Sequence, residues 1–371
     1  MHPNGSPSPG KVLLTGGTGF IASHILDQLL AHGYTVVATV RSKEKGPSLR
    51  SSLPESCTNF DFVVVEDITK EGAFDEAVTS TPPFNYVIHT ASPYHLNPRD
   101  PVADFLDPAI KGTTGILRSI KSRAPTVKRV VFTSSSAAIL NPKSHAEVYD
   151  ESVWAPMTWE EALVPQNAYK ASKIFAERAA WRFVEEEEPN FDLATINNTY
   201  TFGPVQRHLT TLEEINASNH RIRDMLLGRM RDGLQPTAPV FTFVDVRDVA
   251  LAHVRALTVP IEETGGGGGG GRFYVVSGYF TNKRVADVIR REFPEVVAAG
   301  RLPGGKEGVV EEEEEDDLPE DVYRFDNGKS RRVLGSEYRG LEESVRDTVR
   351  SILDTFGGEE ELRFGGTELP N

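Results

Sequence analysis

Short apolar runs recur along the chain and alternate with segments long enough to hold a helix. The first run, KVLLT, leads through a glycine-rich turn into FIASHILDQLLAHG, whose apolar residues recur at helical spacing until Gly33. Further runs rich in β-branched and aromatic residues are YTVVATV, FDFVVVE, NYVIHT, KRVVFTS, FDLATIN and RFYVV. Because these runs are nearly all apolar rather than alternating, the pattern predicts an α/β fold with a doubly wound parallel sheet.

The same runs predict the domain organisation. We expect residues 10–197 together with about 243–280 to form a nucleotide-binding Rossmann domain, and residues 1–9 to form a flexible tail. Residues from about 198 to 242 and from 281 to 371 show weaker strand patterning and are assigned to a smaller, C-terminal substrate-binding lobe.

Composition excludes several classes of protein. The hydrophobic content of 39% and the charged content of 25% are ordinary for a globular chain. The formal net charge of −14 argues against general binding to nucleic acid or anionic lipid, and no apolar run approaches the roughly 18 residues that span a bilayer. The single cysteine cannot form an intramolecular disulfide, and the opening MHPNGSPSPG shows no targeting pattern. We expect a cytoplasmic monomer or homodimer that acts on a small molecule.

The glycine-rich turn is the first candidate site. It joins a predicted strand to a predicted helix, so backbone amides at the helix start can face a pyrophosphate while the glycines allow close approach. The alternative is a plain tight connection. The candidate cofactor contacts in this turn are Gly16, Gly17, Thr18, Gly19, Phe20 and Ile21.

The end of the second strand indicates which dinucleotide binds. An NAD-selective site carries an acidic residue after this strand, whereas this chain has Arg41, followed by Ser42, Lys43 and Lys45. A guanidinium and nearby ammonium groups suit a 2′-phosphate, which favours NADPH, although an ordinary solvated basic loop is the alternative. Position alone adds further candidate cofactor contacts: Asp67, Ile68, Thr90, Ala91, Ser92 and Thr133.

A tyrosine, a lysine and a serine form the candidate catalytic set. Tyr169 and Lys173 stand four residues apart in NAYKASKIFAERAAWRF, so they share one helix face, with Asn167 as a candidate cap. Ser135 follows the strand KRVVFT at the expected carboxyl edge of the sheet. Tyr279 and Lys283 repeat the spacing, but Tyr279 is interpreted as a surface turn residue.

These three residue types suit carbonyl reduction. A phenol with a pKa of about 10 is a slow acid at neutral pH, and a neighbouring ammonium stabilises its phenolate. A serine hydroxyl can hold the carbonyl oxygen by a hydrogen bond. The histidines show no metal-ligand spacing, and no metal is predicted; they include His89, His95, His145, His208, His220 and His253.

Taken together, these motifs resemble the extended short-chain dehydrogenases/reductases of the NAD-dependent epimerase/dehydratase superfamily. The dihydroflavonol and cinnamoyl-CoA reductase branch is the most similar, in particular the fungal NADPH-dependent methylglyoxal and ketone reductases. The stretches that carry the resemblance cover most of the chain: TGGTGFIASHI, ATVRSKEK, VIHTASPY, RVVFTSSSAAI, NAYKASKIFAERAAW and FVDVRDVALAHV.

The resemblance implies roles for individual residues. It makes Ser135 the serine that polarises the carbonyl, Tyr169 the proton donor and Lys173 its partner. It also implies that Arg41 and Lys45 hold the 2′-phosphate, that Tyr94 and Tyr200 line the substrate pocket, and that Thr201 and Ser218 lie near the cofactor.

Two positions depart from the branch. Asn197 and Asn198 stand where the branch usually reads Asn-Pro, which affects the turn beside the nicotinamide. Ser136 stands where related fungal reductases often carry an aromatic residue, which suggests a pocket for a larger substrate.

NADPH-dependent reduction of an aldehyde or ketone to an alcohol is therefore the leading hypothesis. A nucleotide-sugar epimerase or dehydratase on the same fold is an alternative. Such an enzyme would prefer tightly held NAD, and Arg41 argues against a site for NAD. A non-catalytic NADPH-binding regulator is the other alternative, although such a protein would not need Ser135, Tyr169 and Lys173 together.

Overall fold

The computed structural model of this chain describes residues 9–92, 100–260, 271–303, 316–359 and 362. The strands are β1 (Lys11–Thr15), β2 (Thr35–Val40), β3 (Phe60–Val64), β4 (Tyr86–His89), β5 (Arg129–Thr133), β6 (Val148–Tyr149), β7 (Asp192–Asn198), β8 (Tyr200–Phe202), β9 (Thr242–Asp245), β10 (Arg272–Val275), β11 (Gly278–Tyr279) and β12 (Arg324–Phe325). Most of the predicted tail, residues 1–8, lies outside the described residues.

Helices follow most of the strands. The α-helices are α1 (Phe20–Ala31), α2 (Lys45–Ser51), α3 (Asp107–Arg123), α4 (Trp159–Ala162), α5 (Ala168–Glu187), α6 (His220–Leu226), α7 (Val246–Ala256), α8 (Asn282–Glu292), α9 (Pro294–Ala298), α10 (Gly328–Leu334) and α11 (Leu341–Phe356). Single turns of 3₁₀ helix cover Ser136–Ala138, Pro165–Asn167, Leu212–Glu214 and Ala217–Asn219, and one π-helical turn covers Val102–Leu106. Within the described ranges, no helix combines the length and apolar character needed to cross a membrane.

Seven strands form one parallel sheet in the order β10-β7-β5-β4-β1-β2-β3. This order confirms the predicted α/β fold class with a doubly wound sheet. The strand order reverses between β1 and β4, because the chain adds β2 and β3 on one side of β1 and β4, β5, β7 and β10 on the other. In such sheets ligands bind at the carboxyl ends of the strands near this reversal.

The chain divides into two compact units. The first unit holds residues 1–198, 249–275 and 323–337, and the second holds residues 199–248, 276–322 and 338–371. These boundaries differ from the expected ones at three segments. Residues 243–248 and 276–280, expected in the Rossmann domain, belong to the second unit, and residues 323–337, expected in the substrate lobe, belong to the first. In the structure β12 pairs with β6, and Ser330 Oγ on α10 donates to the Tyr274 carbonyl of β10 at 3.0 Å, so this segment belongs to the first unit.

The first unit is built on the large sheet. Helices α3 and α5 pack against each other and cover the buried side chains of β4 and β5. Every residue of β5 is buried, which explains why its sequence shows no alternation between apolar and polar positions.

The second unit contains a small sheet in the order β11-β9-β8, with β8 parallel and β11 antiparallel to β9. Its core is aromatic at the sheet, where Phe202, Phe243 and Phe280 are each buried. Helices α6, α8 and α11 add aliphatic side chains to the same core: Ile222, Ile289, Val345 and Ile352.

Candidate active site

The turn between β1 and α1 requires its glycines. Gly16 has a φ of +68°, which favours glycine, and its amide donates to Thr39 Oγ1 at 3.1 Å. A Cβ on Gly17 would lie 2.7 Å from Ala38 Cβ, so β2 leaves no room for a side chain there. Gly19 precedes α1, and no side chain caps the helix. The helix start therefore suits an anionic group held by backbone amides.

The other predicted residues of this turn lie around it. Thr18, Phe20 and Ile21 are each half-buried, and Phe20 packs its ring edge-on to His24 at a centroid distance of 5.7 Å. They form the first turn of α1 and its entry.

The end of β4 lies against the same turn. Thr15 Oγ1 accepts from the amides of Thr90 and Ala91, each at 3.1 Å, and Thr90 Oγ1 donates to the Thr15 carbonyl. A Cβ on Gly16 would lie 3.0 Å from Ala91 Cα. The structure thus brings together the turn and Thr90–Ala91, with the half-buried Ser92 following.

His89 is neutral at this position. Because Thr15 Oγ1 already accepts two amide protons, its own proton is donated to His89 Nδ1, 2.8 Å away. Burial, followed by the charge of Lys173, lowers the pKa of His89 to about 3. The imidazole between β1 and β4 therefore positions the strand ends and carries no charge.

Arg41 follows β2 and Asp67 follows β3, at neighbouring positions on the carboxyl edge of the sheet. Arg41 is exposed and forms no salt bridge with a described residue. Hydrogen bonds from Thr69 lower the pKa of Asp67, and the charges of Lys70 and Arg41 lower it further. Arg41 therefore lies near Asp67 at the edge where the sequence predicts the 2′-phosphate and the adenine.

Two neighbouring predictions have different surroundings. Lys45 is exposed at the first position of α2. Ile68 packs on α3, because a Cβ on Gly112 would lie 2.8 Å from Ile68 Cδ1. The Ile68 side chain therefore packs against the core of the first unit.

The hydroxyl of Thr133 is directed into the interior. His253 Nδ1 donates to the Val249 carbonyl at 2.8 Å, so Nε2 accepts from Thr133 Oγ1 at 2.7 Å. Burial lowers the pKa of His253 to about 4, which agrees with a neutral ring. A cofactor contact by Thr133 would have to use its backbone.

Ser135 begins the short turn that follows β5. Its Oγ accepts from the Ala137 amide at 3.1 Å, which caps the turn Ser136–Ala138. The hydroxyl proton makes no bond to a described residue and can be donated elsewhere. Ser135 is half-buried and Ser136 is buried.

Tyr169 and Lys173 lie on α5, as predicted from their spacing. Tyr169 is 41% exposed, and Lys173 Nζ lies 5.9 Å from the centre of the Tyr169 ring. Burial lowers the pKa of Lys173 to about 8, and no described residue forms an ion pair or a hydrogen bond with its ammonium. Helix α5 packs on the turn Ser136–Ala138 through Ile174, so the helix that carries the pair lies against the turn that Ser135 caps.

Asn167 stands at the N-cap position of α5, as predicted, but its side chain does not cap the helix. Asn167 closes the 3₁₀ turn Pro165–Asn167, and its Nδ2 donates back to the Glu161 carbonyl at 2.9 Å rather than capping α5. The chain enters α5 directly from the 3₁₀ turn, so the backbone already has helical dihedrals.

The second unit holds the other predicted contacts. Ser218 Oγ donates to the Thr201 carbonyl at 2.6 Å, so these two residues lie together. Tyr200 OH accepts from Arg221 Nε at 2.9 Å, and the Tyr200 ring packs 5.1 Å from that of Phe280. Tyr94 lies outside the described residues.

Sequence reasoning missed a buried charged pair. Glu177, on α5, is fully buried and its Oε1 accepts from Arg272 Nε of β10 at 2.7 Å. The signal was present in the sequence, since Glu177 follows Lys173 by one further helical repeat and Arg272 opens an otherwise apolar strand.

One cavity of about 410 Å³ lies at a different edge of the first unit. It is lined by residues at the amino ends of β1, β2 and β3, including Lys11, Thr35 and Phe60. The candidate site at the carboxyl ends is separate from it. No group of three His, Cys, Asp or Glu residues within the described ranges could hold a metal ion.

Comparison with known proteins identifies similar chains. Residues 12–267 match the sequence profile of the NAD dependent epimerase/dehydratase family. A protein named ketoreductase azaE from Aspergillus niger is 56% identical over 345 residues, which cover 93% of this chain and 98% of that protein. NADPH-dependent methylglyoxal reductase GRE2 from Saccharomyces cerevisiae is 37% identical over 362 residues, covering 94% and 99%.

A solved structure of a related reductase is similar to this fold. The yeast methylglyoxal/isovaleraldehyde reductase Gre2 complexed with NADPH is 35% identical and has a TM-score of 0.79, covering 94% of this chain and 99% of that one.

Proposed function

The chain belongs to the NAD dependent epimerase/dehydratase family, and we propose that it is an NADPH-dependent reductase that converts an aldehyde or a ketone to the alcohol. The observation that carries this proposal is the packing of α5, with Tyr169 and Lys173, beside the turn that begins at Ser135. The relatives named ketoreductase and NADPH-dependent methylglyoxal reductase support the same reaction.

Tyr169 donates the proton to the carbonyl oxygen. Its ring is exposed to incoming substrate, and the Lys173 ammonium lies on the adjacent helical turn. A positive charge at this distance stabilises the phenolate and makes the phenol a better acid. Lys173 has no carboxylate partner among the described residues, so its charge is not neutralised locally.

Ser135 orients the substrate. Its Oγ is held by the Ala137 amide, while its proton can be donated to the carbonyl oxygen. A donor held in place before the reaction stabilises the negative charge that develops on that oxygen.

NADPH fits the other features of the first unit. The uncapped start of α1, with Gly16 and Gly17, suits the pyrophosphate, and Arg41 with Lys45 suits the 2′-phosphate. When bound, the cofactor supplies the hydride. Further contacts are assigned to Thr90, Ala91, Ser92, Asp67, Ile68, Thr133, Thr201 and Ser218.

The substrate is an aldehyde or a ketone. Tyr94, Ser136 and Tyr200 are assigned to its pocket. The small side chain of Ser136 leaves space there for a larger carbonyl compound than an aromatic residue would allow.

The test is consumption of NADPH, with NADH in parallel, on a panel of aldehydes, diketones and aromatic ketones. We expect stoichiometric loss of NADPH absorbance and slower loss with NADH. Arg41→Ala should raise the KM for NADPH about 5- to 100-fold, because a charge-assisted hydrogen bond to the phosphate is lost, and leave NADH nearly unchanged.

Two results would contradict the proposal. Conversion of a nucleotide sugar without net consumption of cofactor would favour an epimerase. Binding of NADPH without turnover of any carbonyl would favour a regulator.

A further inference from the structure

A buried polar cluster centres on the Glu177 carboxylate. Glu177 is fully buried, and Arg272, its ionic partner, is 8% exposed. Two charges removed from water stabilise a fold only when their remaining donors and acceptors are also satisfied. The hydrogen bonds of Glu177 and Arg272 therefore indicate which segments of the fold this pair holds together.

The carboxylate receives only hydrogen-bond donors. Oε2 accepts from Ser134 Oγ at 2.5 Å and from Asn197 Nδ2 at 2.7 Å, while Oε1 accepts from Arg272 Nε at 2.7 Å and from Trp181 Nε1 at 3.4 Å. The single proton of Thr195 Oγ1 lies between Glu177 Oε1 and Asn197 Oδ1, each 3.1 Å away. An ionised carboxylate has four acceptor positions and no proton of its own. This set of donors therefore requires the carboxylate and does not suit an amide.

Arg272 is satisfied on its other side by backbone. Its NH1 donates to the carbonyls of Glu151 and Val153 at 2.6 and 2.8 Å, and its guanidinium stacks 3.7 Å from the ring centre of Trp154. Strand β10 and residues 151–154 are thereby tied to α5.

The cluster also holds the segment that carries Ser135. Ser134 is its neighbour in the chain, and Asn197 Nδ2 donates to the Ser135 carbonyl at 3.3 Å. Tyr169, Lys173 and Glu177 recur every four residues on α5, so they lie along one stripe of the helix. The carboxylate thus connects the proton donor's helix to the backbone of the serine.

We propose that Glu177 is a positioning residue for the reaction, which sets the separation between Ser135 and the Tyr169–Lys173 pair. This inference rests on the proposed function. A displacement of about 1 Å in a reacting group can lower a rate on the order of 10²-fold. A cluster that fixes α5 against β7, β10 and the segment that follows β5 therefore affects turnover without touching substrate.

The experiment compares Glu177→Gln with Glu185→Gln, the same substitution at an exposed position of the same helix. Glu177→Gln directs an amide NH₂ at donors, so we expect kcat to fall about 30- to 100-fold while the Kd for NADPH stays within about threefold. Glu185→Gln should match wild type. The measurements are kcat, the KM for the carbonyl, the Kd for NADPH by fluorescence, and thermal unfolding.

A double variant separates positioning from stability. Adding Arg272→Met to Glu177→Gln removes the uncompensated charge and should restore part of the thermal stability, but not kcat. Recovery of kcat in parallel with stability would overturn the proposal, because it would show a purely structural role. Ser134→Ala provides a milder change, expected to lower kcat about tenfold, if Glu177→Gln does not fold.

Crystal structures of the NADPH complexes distinguish this inference from the proposed function. A change in the separation of Ser135 Oγ and Tyr169 Oη in Glu177→Gln supports positioning even if the wild type reduces no carbonyl, in which case only the proposed function fails. An unchanged separation, or a kcat within threefold of wild type in the folded variant, overturns the positioning role.

Discussion

Tyr-x-x-x-Lys occurs twice in this chain, and the two regions differ in almost every structural respect. Tyr169 and Lys173 lie on the single helix α5, so their spacing places them on one face. Tyr279 lies in β11, whereas Lys283 lies in α8, whose start is capped by the Thr281 hydroxyl between them.

The two lysines also differ in their partners. Lys283 Nζ forms a salt bridge with Asp287 at 2.8 Å, one turn along α8. Lys173 is without a carboxylate partner among the described residues, and burial lowers its pKa to about 8. A spacing therefore indicates chemistry only where one helix carries both residues and the charge is not already neutralised.

The tyrosines provide the largest expected difference. Tyr169→Phe removes the proton donor and should lower kcat about 10²- to 10⁴-fold, the usual contribution of general acid catalysis. Tyr279→Phe is the matched control and should stay within about twofold of wild type, because Tyr279 and Lys283 lie on different elements and Lys283 is paired with Asp287. Initial rates with NADPH and an active carbonyl measure both. Equal effects would remove the distinction between the two regions.

The two lysines provide a smaller expected difference between the regions. Lys173→Met should lower kcat about 10²-fold, because the phenolate of Tyr169 loses its stabilising charge. Lys283→Met should change kcat little and cost stability of about 0.5 kcal/mol, as for a half-exposed i,i+4 pair. Rates and urea unfolding measure the two effects. A loss of turnover in Lys283→Met comparable to that in Lys173→Met would contradict the site assignment.

The buried ammonium should also appear in the pH dependence of stability. Burial depresses the pKa of Lys173 from 10.5 to about 8, so between these values the unfolded chain binds more protons than the folded one. The unfolding free energy of the wild type should therefore rise with pH across this window, relative to Lys173→Met, by about 1 to 3 kcal/mol. Urea unfolding at pH 7.5 and 10 without cofactor measures the difference. Parallel curves for the two proteins would mean that Lys173 is not desolvated.

Much of the fold could be predicted from apolar runs. The seven parallel strands match the predicted runs because the strands inside the sheet are mostly buried and therefore nearly continuous in apolar residues. The edge strand β3 is buried only at Phe60. The helix break at Gly33 is confirmed, since its φ of +83° favours glycine. The interpretation of Tyr279 as a turn residue is wrong, because Tyr279 lies in strand β11. That strand is too short to produce a recognisable pattern in the sequence.

The candidate site was only partly accessible to sequence reasoning. Ser135, Tyr169 and Lys173 follow from local rules, namely the end of a strand and the repeat of a helix. Their catalytic roles stay predictions. The cluster of Glu177, Arg272 and Asn197 joins residues up to 95 positions apart. Local patterns mark Glu177 and Arg272 as unusual charges, but they do not show that the two residues are partners.

The sequence by itself determined the parallel sheet, the glycine turn and the helical register of Tyr169 and Lys173, because each depends on residues within one element. Only the tertiary structure decided which lysine has no carboxylate partner among the described residues, which threonine hydroxyl is bonded inside the fold, and how Glu177 ties α5 to the segment that follows β5. These properties depend on burial and on partners distant in the chain. Desolvation and hydrogen-bond satisfaction are set by packing and not by the order of residues.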